Sequence, residues 1–314
     1  QSFQLWSYET LIILPYLSMF VEAIEKVDQF TRPIHFIIRY YKGSDIIPGT
    51  GTLFFVNEDG FAVTCKHVAK QILYAQSIYE NYLKFKGELR KFERDVSLET
   101  QRSKLETKYK LNQNTPIRIL STFVNCVSKY KSISIHLHPS QDLAIIRFRD
   151  YDSKLYQGHA TFLKNAGQIR PGRYLCRLGY PFPEFTNYQY DKSTNDIIWT
   201  NMGRIHTPSF PIDGIVTRHI SDQNQILGIE MSTPGLRGQS GGPLFDRNGI
   251  VYGMQSSTRH LHLGFDQVNR EVITDGQKRR VSNYPFLDVG QCVHVDVIKS
   301  FLKDQKVNFY EEQN

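Results

Sequence analysis

The sequence lacks the features of a disulfide scaffold, a zinc module and a membrane span. Its four cysteines, Cys65, Cys126, Cys176 and Cys292, lie far apart and form no C-x-x-C pair. That excludes the paired spacing of a structural zinc site and the density of a small secreted framework. Free thiols in a reducing compartment are the simpler reading, so a cytoplasmic setting is expected, with secretion or delivery into a host cell as the alternative. The longest apolar stretch, Leu11 to Val21, contains Pro15 and is too short to cross a bilayer. No basic segment with a small-residue cleavage site precedes it. Neither sign of charge dominates: 38 Lys+Arg against 31 Asp+Glu give +7, which permits an anionic partner without demanding one. No internal repeat is visible.

What is present is a chain of 314 residues, 40% hydrophobic and 22% charged, enough for two domains or one two-lobed domain. Residues 1–33 read as a helical segment, because Leu17, Phe20, Val21, Ile24 and Val27 recur at three- and four-residue intervals, with Pro33 expected to end it. The period then changes. Ile34 to Tyr41 is rich in β-branched and aromatic residues, and Thr52–Val56 and Phe61–Cys65 flank an Asn57 to Gly60 turn, the pattern of a hairpin.

Residues 70–112 interrupt the β pattern. Ile78, Tyr82, Phe85, Leu89, Phe92 and Val96 follow a coiled-coil spacing, with Leu98, Leu105 and Tyr109 on a return helix, which predicts an inserted helical hairpin. Gly87 weakens the first helix by about 1 kcal/mol relative to alanine. The insert holds ten basic and six acidic side chains. Its aromatics Tyr74, Tyr79, Tyr82, Phe85 and Phe92 alternate with Lys and Arg, as in a nucleic-acid grip. They mostly coincide with the seam, so internal packing is expected and no nucleic acid; a protein partner could dock on the hairpin.

Short strands resume at Ile117–Val124, Ser132–His138 and Leu143–Phe148. A second set follows: Gln168–Gly179, Gly214–Arg218, Gly228–Met231, Pro243–Phe245, Ile250–Gln255 and Gln291–Val297, with a closing helix over Val295–Lys306. Two groups of short strands predict an all-β fold of two packed barrels or a sandwich. The division expected is a first β unit over 34–150 carrying the insert, a second over 151–298, and a C-terminal helix and tail over 299–314.

The sharpest chemical signal is Gly238-Gln239-Ser240-Gly241-Gly242-Pro243. A nucleophilic serine needs a sharp turn that lifts its hydroxyl and frees N–H groups for a developing oxyanion, and glycines on both sides supply it. Such a serine needs a base, and His67 stands where the apolar strand Val63–Cys65 ends. The base needs an orienting carboxylate, and Asp142 directly precedes the apolar run Leu143 to Ile146. Two His-x-His pairs, His136/His138 and His260/His262, lack a further ligand at metal spacing and read as plain histidines.

Together these segments resemble the trypsin/chymotrypsin-like serine peptidases, above all the HtrA-like (DegP-like) bacterial branch. Gly49-Thr50-Gly51-Thr52-Leu53-Phe54 is similar to that branch's Gly-Ser-Gly-Phe strand, Gly60 to Val68 to its Gly-x-x-x-Thr-x-x-His-Val segment, Asp142-Leu143-Ala144 to its Asp-Leu-Ala, and Gly238 to Pro243 to its serine turn. The likeness covers roughly residues 34–69 and 115–306. It implies two antiparallel six-stranded β-barrels with the site between them, carrying the helical insert and terminal helices. It also implies peptide-bond hydrolysis in protein substrates: His67 as base then acid, Asp142 orienting it, Ser240 attacking, and the Gly238 and Ser240 N–H groups as oxyanion hole. No cofactor or metal is called for. Pro234, Leu236 and Arg237 before the serine, and Gln255, Ser256 and Ser257 after it, would border the substrate.

The sequence departs from the pattern in places. Gln239 stands where trypsin-like zymogens carry an acidic residue, so activation through that salt bridge is not expected. Too few residues follow Ile298 for a PDZ domain. Pro234 occupies the position that often sets preference for the residue before the cleaved bond, and without a carboxylate there a small or apolar residue is expected. The alternatives are a silent or partner-gated pseudoprotease acting as a scaffold through the insert, and an esterase with the same triad.

Overall fold

Pro33 does not end the first helix. The computed structural model describes residues 19–43, 45–92, 97–223 and 225–313. Within it α1 spans Val21–Asp28 and β1 already runs over Thr31–Tyr40. The Thr31 hydroxyl donates to Val27 O at 2.7 Å and the Arg32 guanidinium to Asp28 O at 2.5 Å, so side chains satisfy the last carbonyls of α1. Pro33 sits near the start of β1, ahead of the pairing with the neighbouring strand that begins at Ile34, where a missing N–H is tolerated. Leu17 of the predicted stripe lies outside the described residues.

The first sheet holds six strands: β1, β2 (Ile46–Phe55), β3 (Phe61–Thr64), β4 (Pro116–Phe123), β5 (Ser132–Leu137) and β6 (Ala144–Arg149), in the order β4-β1-β2-β3-β6-β5. The predicted hairpin is present, with Phe54 opposite Val63. Asn57 Oδ1 accepts from Asp59 N and Phe61 N, and Gly60 takes φ +78° to close the turn.

The helical hairpin begins earlier than residue 70. Helix α2 spans Lys66–Arg90 and α3 spans Leu98–Tyr109. The seam is shorter than the spacing predicts: Phe85 and Leu105 are buried with Tyr41, Leu111 and Ile117, with Tyr82, Leu89 and Tyr109 around them. Ile78 instead packs against the main core, and Val96 lies outside the described residues. Helix α2 lies against β4, β5 and β6. The insert's aromatics are used internally: Phe85 meets Tyr41 edge-on at 5.5 Å, and Tyr79 lies 3.9 Å from the Arg118 guanidinium. Tyr74 remains exposed. Helix α2 passes through Gly87 unbroken.

The second sheet closes on itself. Strands β7 (Tyr174–Gly179), β8 (Phe210–Asp222), β9 (Gln225–Met231), β10 (Pro243–Phe245), β11 (Ile250–His262) and β12 (Phe286–His294) form the ring β10-β7-β8-β9-β12-β11, completed by pairing of β11 with β10. The fold is thus mostly β, two barrel-like sheets with helices, as the sequence predicts. One apolar core joins the sheets, including Phe54, Phe55 and Phe148 from the first and Leu178, Leu244 and Met254 from the second. Helix α4 (Val295–Asp304) buries Val297, Ile298, Phe301 and Leu302, and His294 Nδ1 accepts from Asp296 N as its cap.

Several boundaries shift. The strand expected from Gln168 begins at Tyr174, preceded by a short 3-10 turn at Ala166–Gln168, and the expected Gly214–Arg218 and Gly228–Met231 strands are parts of longer ones. A hairpin of Gln267–Thr274 and Gln277–Asn283 has no counterpart in the sequence reading. Nearly all of it is exposed, so it shows no alternation of buried and exposed residues.

Candidate active site

The three residues singled out in the sequence come from three places: His67 and Ser240 line one cleft, and Asp142 is bonded to His67. His67 sits in the first turn of α2, directly after β3. Asp142 precedes β6, which pairs with β3 from Thr64↔Ala144 onward, and this register sets the carboxylate beside the start of α2. Asp142 grips His67 twice: Oδ2 meets Nδ1 at 2.8 Å and Oδ1 accepts from the backbone N–H at 2.9 Å. The ring is thereby held with Nδ1 toward the carboxylate and Nε2 free for other work. Burial pushes the Asp142 carboxyl up, but the hydrogen bonds and charge of His67, with the neighbouring Cys65 thiol, outweigh it and hold the group below its ordinary value.

Ser240 lies on the second barrel, in a turn that only glycine can make. Gly238 takes φ +99° and Gly241 φ +92°. A Cβ on Gly241 would strike Thr52 O, and one on Gly238 would strike Thr50 Oγ1. Strand β2 clamps this turn: Thr52 N donates to Ser240 O at 2.9 Å, and Thr52 Oγ1 donates to Gly238 O at 2.8 Å. Within the turn Gln239 N donates to Leu236 O, Gly241 N to Gln255 O and Gly242 N to Gln239 O. The N–H groups of Gly238 and Ser240 have no acceptor among the described residues, so two donors stand free beside the Ser240 hydroxyl.

Gln239 is fully buried, its Oε1 accepting from Leu236 N and its Nε2 donating to Phe210 O, both at 3.0 Å. Two backbone groups thus satisfy this buried side chain. The Ser240 hydroxyl donates to Ser256 O at 3.3 Å, and no hydrogen bond joins it to His67 in this structure. Both residues line a cleft of about 500 Å³ with Phe36, Ile38, Ile47, Val68 and Ile119.

The other predicted substrate-bordering residues divide. Arg237 is exposed at the cleft. Pro234 and Leu236 are half-buried. Ser257 O accepts from Gln255 Nε2 at 2.7 Å. The Gln255 side chain is buried and receives a 2.6 Å hydrogen bond from Arg177 Nη1, so it packs inside the barrel. The His-x-His pairs find separate partners: His260 meets Asp288 at 2.5 Å, His262 meets Asp266 at 2.6 Å, and His138 Nδ1 accepts from Ser140 N and Gln141 N.

Sequence reasoning missed Cys65, Thr52 and Arg177. Cys65, His67 and Asp142 are the one group of three metal-type donors among the described residues. The Cys65 thiol is fully buried, and burial pushes it well above its ordinary value, so it keeps its proton; it donates to Gln255 O at 3.2 Å. Arg177 was visible as a lone charge inside the apolar run Leu175 to Leu178.

A family model for the trypsin-like peptidase domain matches residues 49–254, about two thirds of the chain and all three of these residues. The chain belongs to the trypsin-like peptidase family. Two solved structures of the HtrA-type protease AlgW are similar to this peptidase. The one with a decapeptide has 11% identity and a TM-score of 0.45, covering 90% of this chain and 66% of that one. The one with a tripeptide has 12% identity and a TM-score of 0.42, covering 90% and 62%. This chain thus spans about two thirds of the length of those chains. No curated protein matches the chain.

Proposed function

We propose that this trypsin-like peptidase is a serine endopeptidase that cuts protein substrates with Ser240, His67 and Asp142. The observation that carries the reading is the double hold of Asp142 on His67, which leaves Nε2 free beside the cleft that Ser240 also lines. Ser240 Oγ would turn from Ser256 O toward His67 Nε2, pass its proton to the ring and attack the carbonyl carbon. The Gly238 and Ser240 N–H groups would take the oxyanion. The imidazolium, stabilised by Asp142, would return the proton to the leaving amine, and a water activated the same way would release the acyl group. Catalytic hydrogen bonds are often unmade in ligand-free sites and tighten with substrate.

A second reading rests on that same unmade contact: a silent or partner-gated site, with a protein partner on the hairpin, where Leu73, Tyr74 and Leu83 of α2 are exposed. All four cysteines are buried and unpaired, which supports a reducing compartment as the setting. The test is labelling by a fluorophosphonate on the folded protein beside Ser240→Ala and His67→Ala. Labelling lost in both variants is expected. A folded wild type that takes no label would favour the gated scaffold.

A further inference from the structure

Next to the nucleophile the turn 233–236 faces the segment 255–258 of β11, and none of these residues lines the apolar cleft. Thr258 Oγ1 ties the two together, donating to Gly235 O at 2.6 Å and accepting from Gly235 N at 2.9 Å. Ser256, within this segment, receives the Ser240 hydroxyl, and the turn 233–236 leads into Gly238 and Ser240, so the two flank the carbonyl that Ser240 would attack. The space beneath is filled by one polar cluster.

At its base lies Arg177, fully buried and the one buried arginine among the described residues. Its Nη1 donates to Gln255 Oε1 at 2.6 Å, and its Nη2 donates to Thr233 Oγ1 at 2.6 Å and Thr233 O at 3.0 Å. Its Nε has no partner. Every acceptor is neutral, and no carboxylate forms an ion pair with it among the described residues. Asp213, whose charge it feels, accepts a hydrogen bond from the Tyr174 hydroxyl. Gly290 on β12 makes the room, because a Cβ there would run into Nη1. Burial lowers the guanidinium's pKa, yet an arginine stays charged. A buried cation with neutral partners alone is costly, and its strand neighbours Leu175 and Leu178 are apolar.

We propose that Arg177 is the specificity-determining residue for an acidic side chain, glutamate or aspartate, on the acyl side of the bond that Ser240 attacks, a role that rests on the serine-nucleophile reading. The substrate carboxylate takes the place now held by the Gln255 carboxamide oxygen, and Gln255 swings out along the segment to which its Nε2 is already tied through Ser257 O. A bidentate pair with the guanidinium then supplies the charge that the folded protein leaves uncompensated. The sequence-based expectation of a small or apolar residue weighed only the missing carboxylate at Pro234 and took no account of this cation.

The test compares peptides that differ only by Glu against Gln at that position. Binding is measured on full-length Ser240→Ala and turnover on wild type. The Glu peptide is expected to bind and react about 10- to 100-fold better, the range of one charge-assisted hydrogen-bonded pair. Arg177→Met should erase the difference while fluorophosphonate labelling of Ser240 persists. Gln255→Ala, which opens the pocket and frees Arg177 Nη1 while keeping the cation, should enlarge the difference and serves should Arg177→Met not fold. Equal affinity of the two peptides for Ser240→Ala, or a Glu preference that survives Arg177→Met, overturns the assignment. An unlabelled wild type would refute the nucleophile reading, and the binding comparison on Ser240→Ala would still decide for or against Arg177.

Discussion

Thr52 ties the first barrel to the serine turn of the second, and Thr52→Val isolates that tie. The substitution replaces a hydroxyl by a methyl of nearly the same shape and keeps the backbone bond from Thr52 N to Ser240 O. It leaves two buried groups without partners: Gly238 O, which receives the hydroxyl at 2.8 Å, and Tyr180 N, which donates to it at 3.3 Å. An orphaned buried group costs about 1–3 kcal/mol, and the longer bond belongs at the low end, so roughly 2–4 kcal/mol is expected. At about 2–4 °C per kcal/mol the melting temperature should fall by roughly 5–15 °C. Gly238 is also an expected oxyanion donor, and freeing its carbonyl loosens the turn that aims its N–H. Loss of one such donor costs about 10²–10³ in kcat, so a partial loosening should lower kcat by about 10- to 100-fold with KM little changed. Calorimetry and steady-state kinetics on one peptide read both quantities. A fallen melting temperature with wild-type kcat would show that the clamp serves folding alone, and a variant normal in both would refute the clamp.

Asp142→Asn should keep the fold and lower kcat by about 10⁴-fold, because the amide cannot hold the same tautomer of His67; peptide kinetics check it, and a loss below tenfold would contradict the orienting role. Gly87→Ala should stabilise the protein by up to about 1 kcal/mol, since Gly87 is exposed in the last turn of α2 with nothing near its missing Cβ; urea unfolding measures it. Acid should weaken the fold in a defined window. His35 and His294 are buried and held neutral, their pKa values pushed down to about 4 by burial first, aided by His206 for His35 and by His219 and Lys299 for His294. Unfolded histidines titrate near 6.5, so between pH 6.5 and 4 the unfolded chain binds protons that the folded chain does not. The stability is complete above pH 6.5 and shrinks toward pH 4, by about 3 kcal/mol for each imidazole. His294→Asn keeps an N-cap acceptor for α4 and should flatten this slope in urea titrations; an unchanged slope would exclude His294 as its source.

The sequence made the site legible because its chemistry depends on local rules. Glycines at 238, 241 and 242 are dictated by the turn, and Asp142 and His67 stand at strand ends where a rim can hold them. The hairpin around Phe54 and Val63 was legible from its continuous apolar and β-branched runs on either side of the Asn57 to Gly60 turn, in stretches that are buried almost throughout. The hairpin of Gln267–Asn283 was not, because a ribbon exposed on both faces carries no such buried run. The Pro33 boundary was misplaced because proline is as acceptable near the start of a strand as after a helix. Arg177 and Thr52 act through partners distant in sequence, Gln255 and Thr233 for the one, Gly238 and Tyr180 for the other, and no local pattern announces a contact made across the core.

The clamp between β2 and the serine turn also bears on timing. His67 and Asp142 belong to the part of the chain made first, and Ser240 to the part made later, so a nascent chain that has folded only its first sheet holds a base with nothing to activate. The turn around Ser240 is completed by hydrogen bonds from Thr52 and by the return of β11 beneath it through Gln255. On the peptidase reading, cutting power arrives only after both sheets have met, and a misfolded or truncated copy is harmless to its neighbours. On the same reading, the order of residues along the chain delays activity until the fold is complete.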